Sequence, residues 1–397
     1  MGSIEKRERS KNPYRARVSI EGEVSQASFR TKREAQAWIT EQEAAKLKGT
    51  AVSSQRGRML YGDLLDEWLA MRAKRGAATG KPAPSTLAQE ADYAEKHLRP
   101  AWGRKRIASI RRAHVQDWVD DLSADGLKAG TVARLHGIFR LTMKEAVLRE
   151  YLGATPCTDI SIPEEKVKMR VLDDHEVWGL ADAMDGVAPC YRTLILVLGF
   201  EGLRLGEAIA LTPEDVDLEA GTISVTKSVT MVKGRSRLRE EPKSSAGLRD
   251  VDLLPSTVEA LADHLERFST RWLVFPPPAD AKDPASATGP TYLQHGNFRR
   301  RFFQKAVERA QEAGTMKPGP LRPHDLRHTA ISLRYRSDPG NHLAISRWAG
   351  HSKSSFTMDR YGKVYAGAES ESRRKQDEQQ KAAREASNVV PIRRAEG

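Results

Sequence analysis

Apolar residues along this chain change their period several times, and each change marks an element. Between residues 14 and 30 two short segments alternate apolar and polar positions, Tyr14-Arg15-Ala16-Arg17-Val18 and Gln26-Ala27-Ser28-Phe29-Arg30, about Glu21-Gly22-Glu23. Alternation on both sides of a turn predicts a β-hairpin. From Thr31 the period lengthens. Thr31-Lys32-Arg33-Glu34 fits a capping box, and Ala35, Trp38 and Ile39 follow at helical spacing, so a helix is expected to about Leu47, closed by Gly49. The first stretch therefore predicts a two- or three-stranded sheet carrying one packed helix.

Residues 50–58 are polar and small and predict a linker. Helical periods dominate after it. Tyr61, Leu64, Leu65, Trp68 and Leu69 form one stripe, broken between Gly76 and Pro84. Thr86 to Leu98 gives a second helix, which Pro100 is expected to stop. Val115, Trp118, Val119 and Leu122 mark a third, and Thr131 to Leu148 a fourth. Pro156 to Pro163 predicts a second linker. Beyond it, Asp173-Asp174-His175-Glu176 opens a helix, Cys190 to Gly199 and Leu205 to Leu211 give two more, and three strands are expected at 222–226, 236–240 and 248–253. Ser256 to Glu259 fits a capping box before a helix, 276–290 predicts a loop, and Asn297 to Ala313 a basic helix. From Glu369 the chain is polar, a solvated helix fraying into a tail near Asn388. The fold class is multidomain and mostly α: a small β-sheet plus helix (1–55), a four-helix domain (56–160), an α+β domain with a small antiparallel sheet (161–368), and a polar C-terminal helix and tail (369–397).

Composition narrows the partners. Among 397 residues, 65 Lys and Arg face 53 Asp and Glu, a formal charge of +12. Such a surplus favours a polyanion, because each phosphate contact releases counterions. A solvated basic surface is the plainer reading of charge alone. Two cysteines, Cys157 and Cys190, make neither a disulfide framework nor a metal site. The N-terminus lacks an apolar signal segment, and the longest apolar run, Leu194 to Phe200, is too short for a bilayer. A cytoplasmic, nucleoid-associated protein with no membrane partner is expected.

The residues that carry chemistry lie far apart in sequence. Arg204 follows Gly202, Lys243 lies in a turn-rich stretch, and His324-Asp325-Leu326-Arg327-His328, Gly350-His351 and Tyr361 come later. Attack on a phosphodiester builds a more negative, pentacoordinate state, which fixed cations stabilise. Arginine suits this role, since its planar fork matches phosphate and stays charged. Arg204 and Arg327 are the expected clamps, Lys243 a mobile acid, and Tyr361 the nucleophile. His324 and Arg327 stand at i and i+3, with Pro323 at a helix start. Each residue also has a plainer reading. Arg204 pairs with Glu207 one turn away, Lys243 is a solvated hairpin lysine, and His328 is a packed core histidine. His324 and His328 at i and i+4 fit zinc, but Asp325 stands where a zinc protease needs Glu, and no third ligand has the spacing.

As a set these motifs resemble the tyrosine recombinase, or phage integrase, family. Gly202 to Glu207 is similar to its first arginine motif, Pro242 to Arg249 to its hairpin lysine motif, and His324 to His328 to its most specific signature. Ala349 to Ser352 and Tyr361-Gly362 resemble its last histidine and nucleophile. The match in order and spacing covers about residues 165–367. Tyr14 to Gly49 resembles an arm-type DNA-binding domain, and 60–155 a helical core-binding domain. Tyr361 lies ten positions after His351, one more than in many relatives, and Lys363 stands where a histidine commonly follows the nucleophile. Tyr365 is the alternative nucleophile, and would need a further helical turn of displacement.

The resemblance implies that Tyr361 attacks the scissile phosphate to form a 3′-phosphotyrosyl link. Arg204, Arg327 and His351 would hold the phosphate, His324 would assist, Lys243 would act as general acid, and Glu207 and His328 would support them. It implies a homotetramer on double-stranded DNA with core and arm attachment sites, joined by accessory excision or DNA-bending proteins, and no cofactor. The link stores the bond energy, so no ATP is needed. Arg15, Arg17 and Arg30, placed on one strand face, are the candidate groove readers of the arm domain; exposed arginines of a structural sheet are the alternative. A type IB topoisomerase and a non-catalytic DNA-binding regulator are the competing functions. The arm-like domain argues against the first, and the intact set of catalytic residue types against the second.

Overall fold

The computed structural model describes residues 2–7, 10–20, 23–47, 59–164, 169–232, 234–240, 247–338 and 341–350. The chain divides into two units, Met1–Val167 and Lys168–Gly397. Lys243, His351, Tyr361, Tyr365 and the polar segment from Glu369 lie outside the described residues.

The first unit begins with an antiparallel sheet in the order β1 (Ser3–Lys6), β2 (Tyr14–Ile20), β3 (Glu23–Phe29). Ala16 and Val18 on β2 are buried with Ala35 and Ile39 of α1 (Lys32–Leu47), and Tyr14, Phe29 and Trp38 pack around them. The capping box forms as expected: Thr31 Oγ1 accepts from the Glu34 N–H and Glu34 Oε2 accepts from the Thr31 N–H, each at 3.2 Å.

A separate core is built by four helical segments. α2 (Tyr61–Thr79) packs against α3 (Pro84–Tyr93), α5 (Arg112–Ala124) follows, and α6 (Ala129–Leu148) is the longest. Tyr61, Trp68, Trp102, Trp118 and Phe139 fill it, with the Trp102 and Phe139 ring centroids 4.9 Å apart. Pro100 does not stop the second helix. α3 continues through a π-turn at Ala94–Leu98 into α4 (Arg99–Trp102), with the Arg99 N–H donating back to the Ala94 carbonyl. Bonds spanning five residues widen the helix here, which relieves the clash of a proline ring with the carbonyl four residues back. The 156–163 segment takes neither helix nor strand form, but it is strapped down. Arg112 Nε donates to the Thr158 carbonyl at 3.1 Å, and Gln116 brackets the Ser161 backbone.

The second unit is organised by α8 (Arg192–Gly199), whose residues Thr193 to Gly199 are all buried. A helix apolar on every side belongs in an interior. α7 (Asp174–Asp185), α14 (Pro323–Ser337) and α10 (Pro255–Arg267) pack on it. Tyr191 reaches edge-on to Phe298, with ring centroids 5.4 Å apart. α9 (Leu205–Ala208) is shorter than expected. α10 starts at Pro255, so the box at Ser256 does not form. Pro255 opens the helix, and Glu201 Oε1 accepts from the Leu254 N–H at 3.1 Å. The 276–290 loop contains α11 (Pro278–Lys282). The basic helix is assembled from α12 (His295–Asn297), a π-turn at Phe298–Phe303 and α13 (Gln304–Glu312).

The strands differ from the expected trio. β4 (Val216–Asp217), β5 (Thr222–Val225) and β8 (Arg249–Asp252) form one antiparallel sheet. β6 (Ser228–Val232) and β7 (Arg235–Arg239) form a separate hairpin between β5 and β8. The chain leaves one ladder for the other at Thr226-Lys227, where Lys227 Nζ is held 2.7 Å from Asp215 Oδ2 and 3.2 Å from Thr212 Oγ1. α15 (His342–Trp348) comes last, and Gly350 closes it with φ +63°, its N–H donating to the Arg347 carbonyl at 2.8 Å.

Candidate active site

Three sequence-distant segments of the second unit meet at the C-terminal turn of α15. Gly202 brings in the first. Its φ is +67°, and a Cβ there would lie 2.8 Å from the Trp348 ring and 3.2 Å from Ala330 Cβ. Glycine alone meets both demands without strain. Gly202→Ala is expected to lower stability by roughly 1–3 kcal/mol. Urea unfolding measures this, and an unchanged midpoint would show that the turn has other room.

Two residues on, Arg204 caps α9. Its N–H donates to Glu207 Oε2 at 3.0 Å and its Nη1 to Glu207 Oε1 at 2.6 Å. The expected Arg204–Glu207 pair therefore exists, yet it leaves Nη2, which donates to the Gly350 carbonyl at 3.1 Å. The Arg204 side chain is still 39% exposed.

The second segment is α14. Pro323 occupies its first turn, and Asp325 Oδ2 accepts from the Arg322 N–H at 2.8 Å, fixing that turn. Asp325 is thus a helix clasp. Arg327, one turn further along α14, is buried. Its Nη1 donates to the Gly202 carbonyl at 2.5 Å and its Nη2 to the Ala349 carbonyl. His324 is exposed, and its ring meets the buried His328 edge-on at 4.8 Å between centroids. Among the described residues no cluster of His, Cys, Asp and Glu could hold a metal ion.

The third segment is β8. Arg249, absent from the expected catalytic set, has its side chain tucked within this cluster. Its Nη2 lies 2.9 Å from Glu207 Oε2 and its Nε donates to the Trp348 carbonyl at 2.8 Å. Three successive carbonyls, at 348, 349 and 350, are therefore each held by a different arginine: Arg249, Arg327 and Arg204. The end of a helix presents unpaired carbonyls and a partial negative charge, which three guanidinium groups satisfy. His351 follows immediately, outside the described residues.

Glu207 sits at the centre of this charge. Burial pushes its carboxyl up, but Arg249 first, then Arg204 and Arg327, outweigh burial and hold it at about 2. A carboxyl depressed from its ordinary value contributes stability that is present above the unfolded value and lost as pH falls toward the folded one. Glu207→Gln should therefore cost about 3 kcal/mol at neutral pH. The gap from the unaltered chain should close between about pH 4.5 and about 2. Urea titrations across that range test it, and a gap independent of pH would contradict the ion-pair account.

The candidate arm residues lie in the first unit. Arg15 and Arg17 share the β2 face opposite buried Ala16 and Val18. Arg15 donates to Gln26 Oε1, and Arg17 Nη2 is 3.3 Å from Glu5 Oε2. Arg30 is not on the strand. It stands one residue past β3, where its N–H donates to Glu34 Oε2 at 3.1 Å, because the α1 capping box draws the backbone out of the ladder.

The sequence matches the phage integrase family model over residues 170–367. It is 25% identical over 361 residues to a prophage phiRv2 integrase of Mycobacterium tuberculosis, covering 88% of this chain and 87% of that one. It is 23% identical over 287 residues to the ICEBs1 integrase of Bacillus subtilis, covering 71% and 75%. The fold resembles the Tn1549 transposon integrase in complex with transposon right end DNA, at TM-score 0.63 and 18% identity, covering 76% of this chain and 95% of that one. A lambda integrase dimer bound to a COC' core site is also similar, at TM-score 0.56 and 14% identity over 90% and 93%. No helix among the described residues is long and apolar enough to cross a membrane. With the arginine motif, the His324–His328 signature and the family match falling in one unit, the chain belongs to the phage integrase family, the tyrosine recombinases.

Proposed function

We propose that this chain is a site-specific DNA recombinase that integrates or excises a mobile element. The convergence of Arg204 and Arg327 on one turn, immediately before His351, carries the reading. Tyr361 Oη attacks the scissile phosphorus and the bond from phosphorus to O5′ breaks. The product is a 3′-phosphotyrosyl link and a free 5′ hydroxyl, with Lys243 giving its proton to the leaving oxygen. Arg204, Arg327 and His351 hold the non-bridging oxygens, and His324 assists by taking the proton that Tyr361 Oη loses. Glu207 and His328 keep these groups in place. The reverse attack by a 5′ hydroxyl from another strand completes exchange without ATP.

Residues 1–55 would read arm sites through Arg15 and Arg17, residues 56–160 would grip the core site, and 161–368 would cut. A homotetramer on two DNA sites is proposed, as a lambda integrase tetramer is described bound to a Holliday junction. Accessory excision or bending proteins would set direction. The test uses nicked suicide duplexes tiled across the DNA flanking the chain's own gene, incubated in EDTA. A protein–DNA adduct on a denaturing gel is the expected result. Tight binding with no adduct on any duplex would instead support a non-catalytic regulator.

A further inference from the structure

We propose that Arg249 is a positioning residue for strand cleavage, setting the 348–350 turn and the Glu207 carboxylate so that Arg204 and Arg327 meet the phosphate in one geometry. The inference rests on the recombinase reading and deepens it. Arg204 keeps a partly exposed guanidinium, whereas the Arg249 side chain is 6% exposed and faces inward. Each of its three nitrogens has a partner within the protein: Nε the Trp348 carbonyl, Nη1 the Gly247 carbonyl at 3.3 Å, and Nη2 Glu207. It is bonded to groups of both motifs and so is placed to act through them. A planar fork bound at all three corners has one orientation, which a point-charge lysine does not reproduce.

Two consequences follow from where Arg249 lies. It opens β8, pairing with Val225, and so anchors the chain just after the segment that carries Lys243. It also joins two phosphate-clamping motifs, since Glu207 belongs to the Arg204 helix and the Trp348 carbonyl belongs to the turn held by Arg327 and Arg204. The charged groups facing Glu207 are Arg204 from its own helix start, Arg249 from β8 and Arg327 from α14. His295 of α12 lies against Gly206, and burial pushes its ring toward the neutral form.

The test uses the full chain, the suicide duplex that gives an adduct, and single-turnover cleavage from about pH 4 to 8. Arg249→Met should bind the duplex within about threefold of the unaltered chain and cleave about 10–100-fold more slowly. Losing the strongest counter-charge should raise the Glu207 carboxyl by roughly 2–3 pH units, bringing a new acid limb into the rate profile. Arg249→Lys should remove that limb while restoring only part of the rate. Glu207→Gln combined with Arg249→Met should cleave no more slowly than the slower single variant. If Arg249→Met unfolds, Arg249→Lys carries the test, with a slowed rate and unmoved limb expected. Three results overturn the proposal: cleavage at the unaltered rate, affinity falling as far as the rate, or a slowed rate in Arg249→Met with no new limb. An unaltered chain that forms no adduct on any duplex overturns the recombinase reading, and this proposal with it.

Discussion

Tyr361→Phe will bind its duplex as tightly as the unaltered chain and form no covalent adduct, a loss of at least about 10,000-fold in cleavage. Phenylalanine keeps the ring and removes only the attacking oxygen, so packing and DNA affinity have no reason to change. Tyr365→Phe serves as the internal control, since it removes the same atom four residues on. It should cleave within a few-fold of the unaltered chain. Comparable loss in both variants would mean that the segment needs both hydroxyls. Loss in Tyr365→Phe alone would transfer the nucleophile. Each variant is assayed on the same nicked duplex, with binding followed separately by gel shift.

The second large effect is expected at Arg327. This guanidinium is buried and satisfies the Gly202 and Ala349 carbonyls together. Arg327→Ala strands both carbonyls and leaves Glu207 with fewer counter-charges, so stability should fall by about 2–4 kcal/mol. Arg327→Lys separates folding from chemistry. Its single ammonium keeps the charge but cannot span both carbonyls and present a fork to phosphate. It should stay folded, bind DNA within a few-fold, and cleave about 100–1,000-fold more slowly. Urea unfolding and single-turnover cleavage measure the two terms. Full cleavage by Arg327→Lys would mean that charge alone suffices there.

Local signals in the sequence translated well where a short-range rule decides the outcome. Thr31 and Glu34 form their capping box, Pro323 opens α14, and Gly350 closes α15. The meeting of Arg204 with Arg327 was legible only through their motifs, because more than a hundred residues separate them. What escaped the sequence depends on tertiary partners. Arg249 ends the hairpin lysine motif, but its part in the cluster shows only once Glu207 and the Trp348 carbonyl are beside it. The β6 strand continues the polar–apolar alternation of β5 in sequence, and Lys227, held on Asp215, sits at the break between the two ladders. Pro100 reads as a helix stop because the π-turn that absorbs it has no signature in residue type. Ser256 reads as a cap because nothing nearby in sequence announces Glu201 as the partner of the Leu254 N–H.

One hydroxyl of this chain is expected to become esterified to DNA. The most direct measurement traps the adduct on a suicide duplex in EDTA, digests protein and DNA, and sequences the linked peptide by mass spectrometry. The predicted result is a nucleotide joined through its 3′ phosphate to Tyr361, with a free 5′ hydroxyl on the released strand. A 5′ phosphate linkage, attachment at any other residue, or bound duplex that is never joined would contradict it.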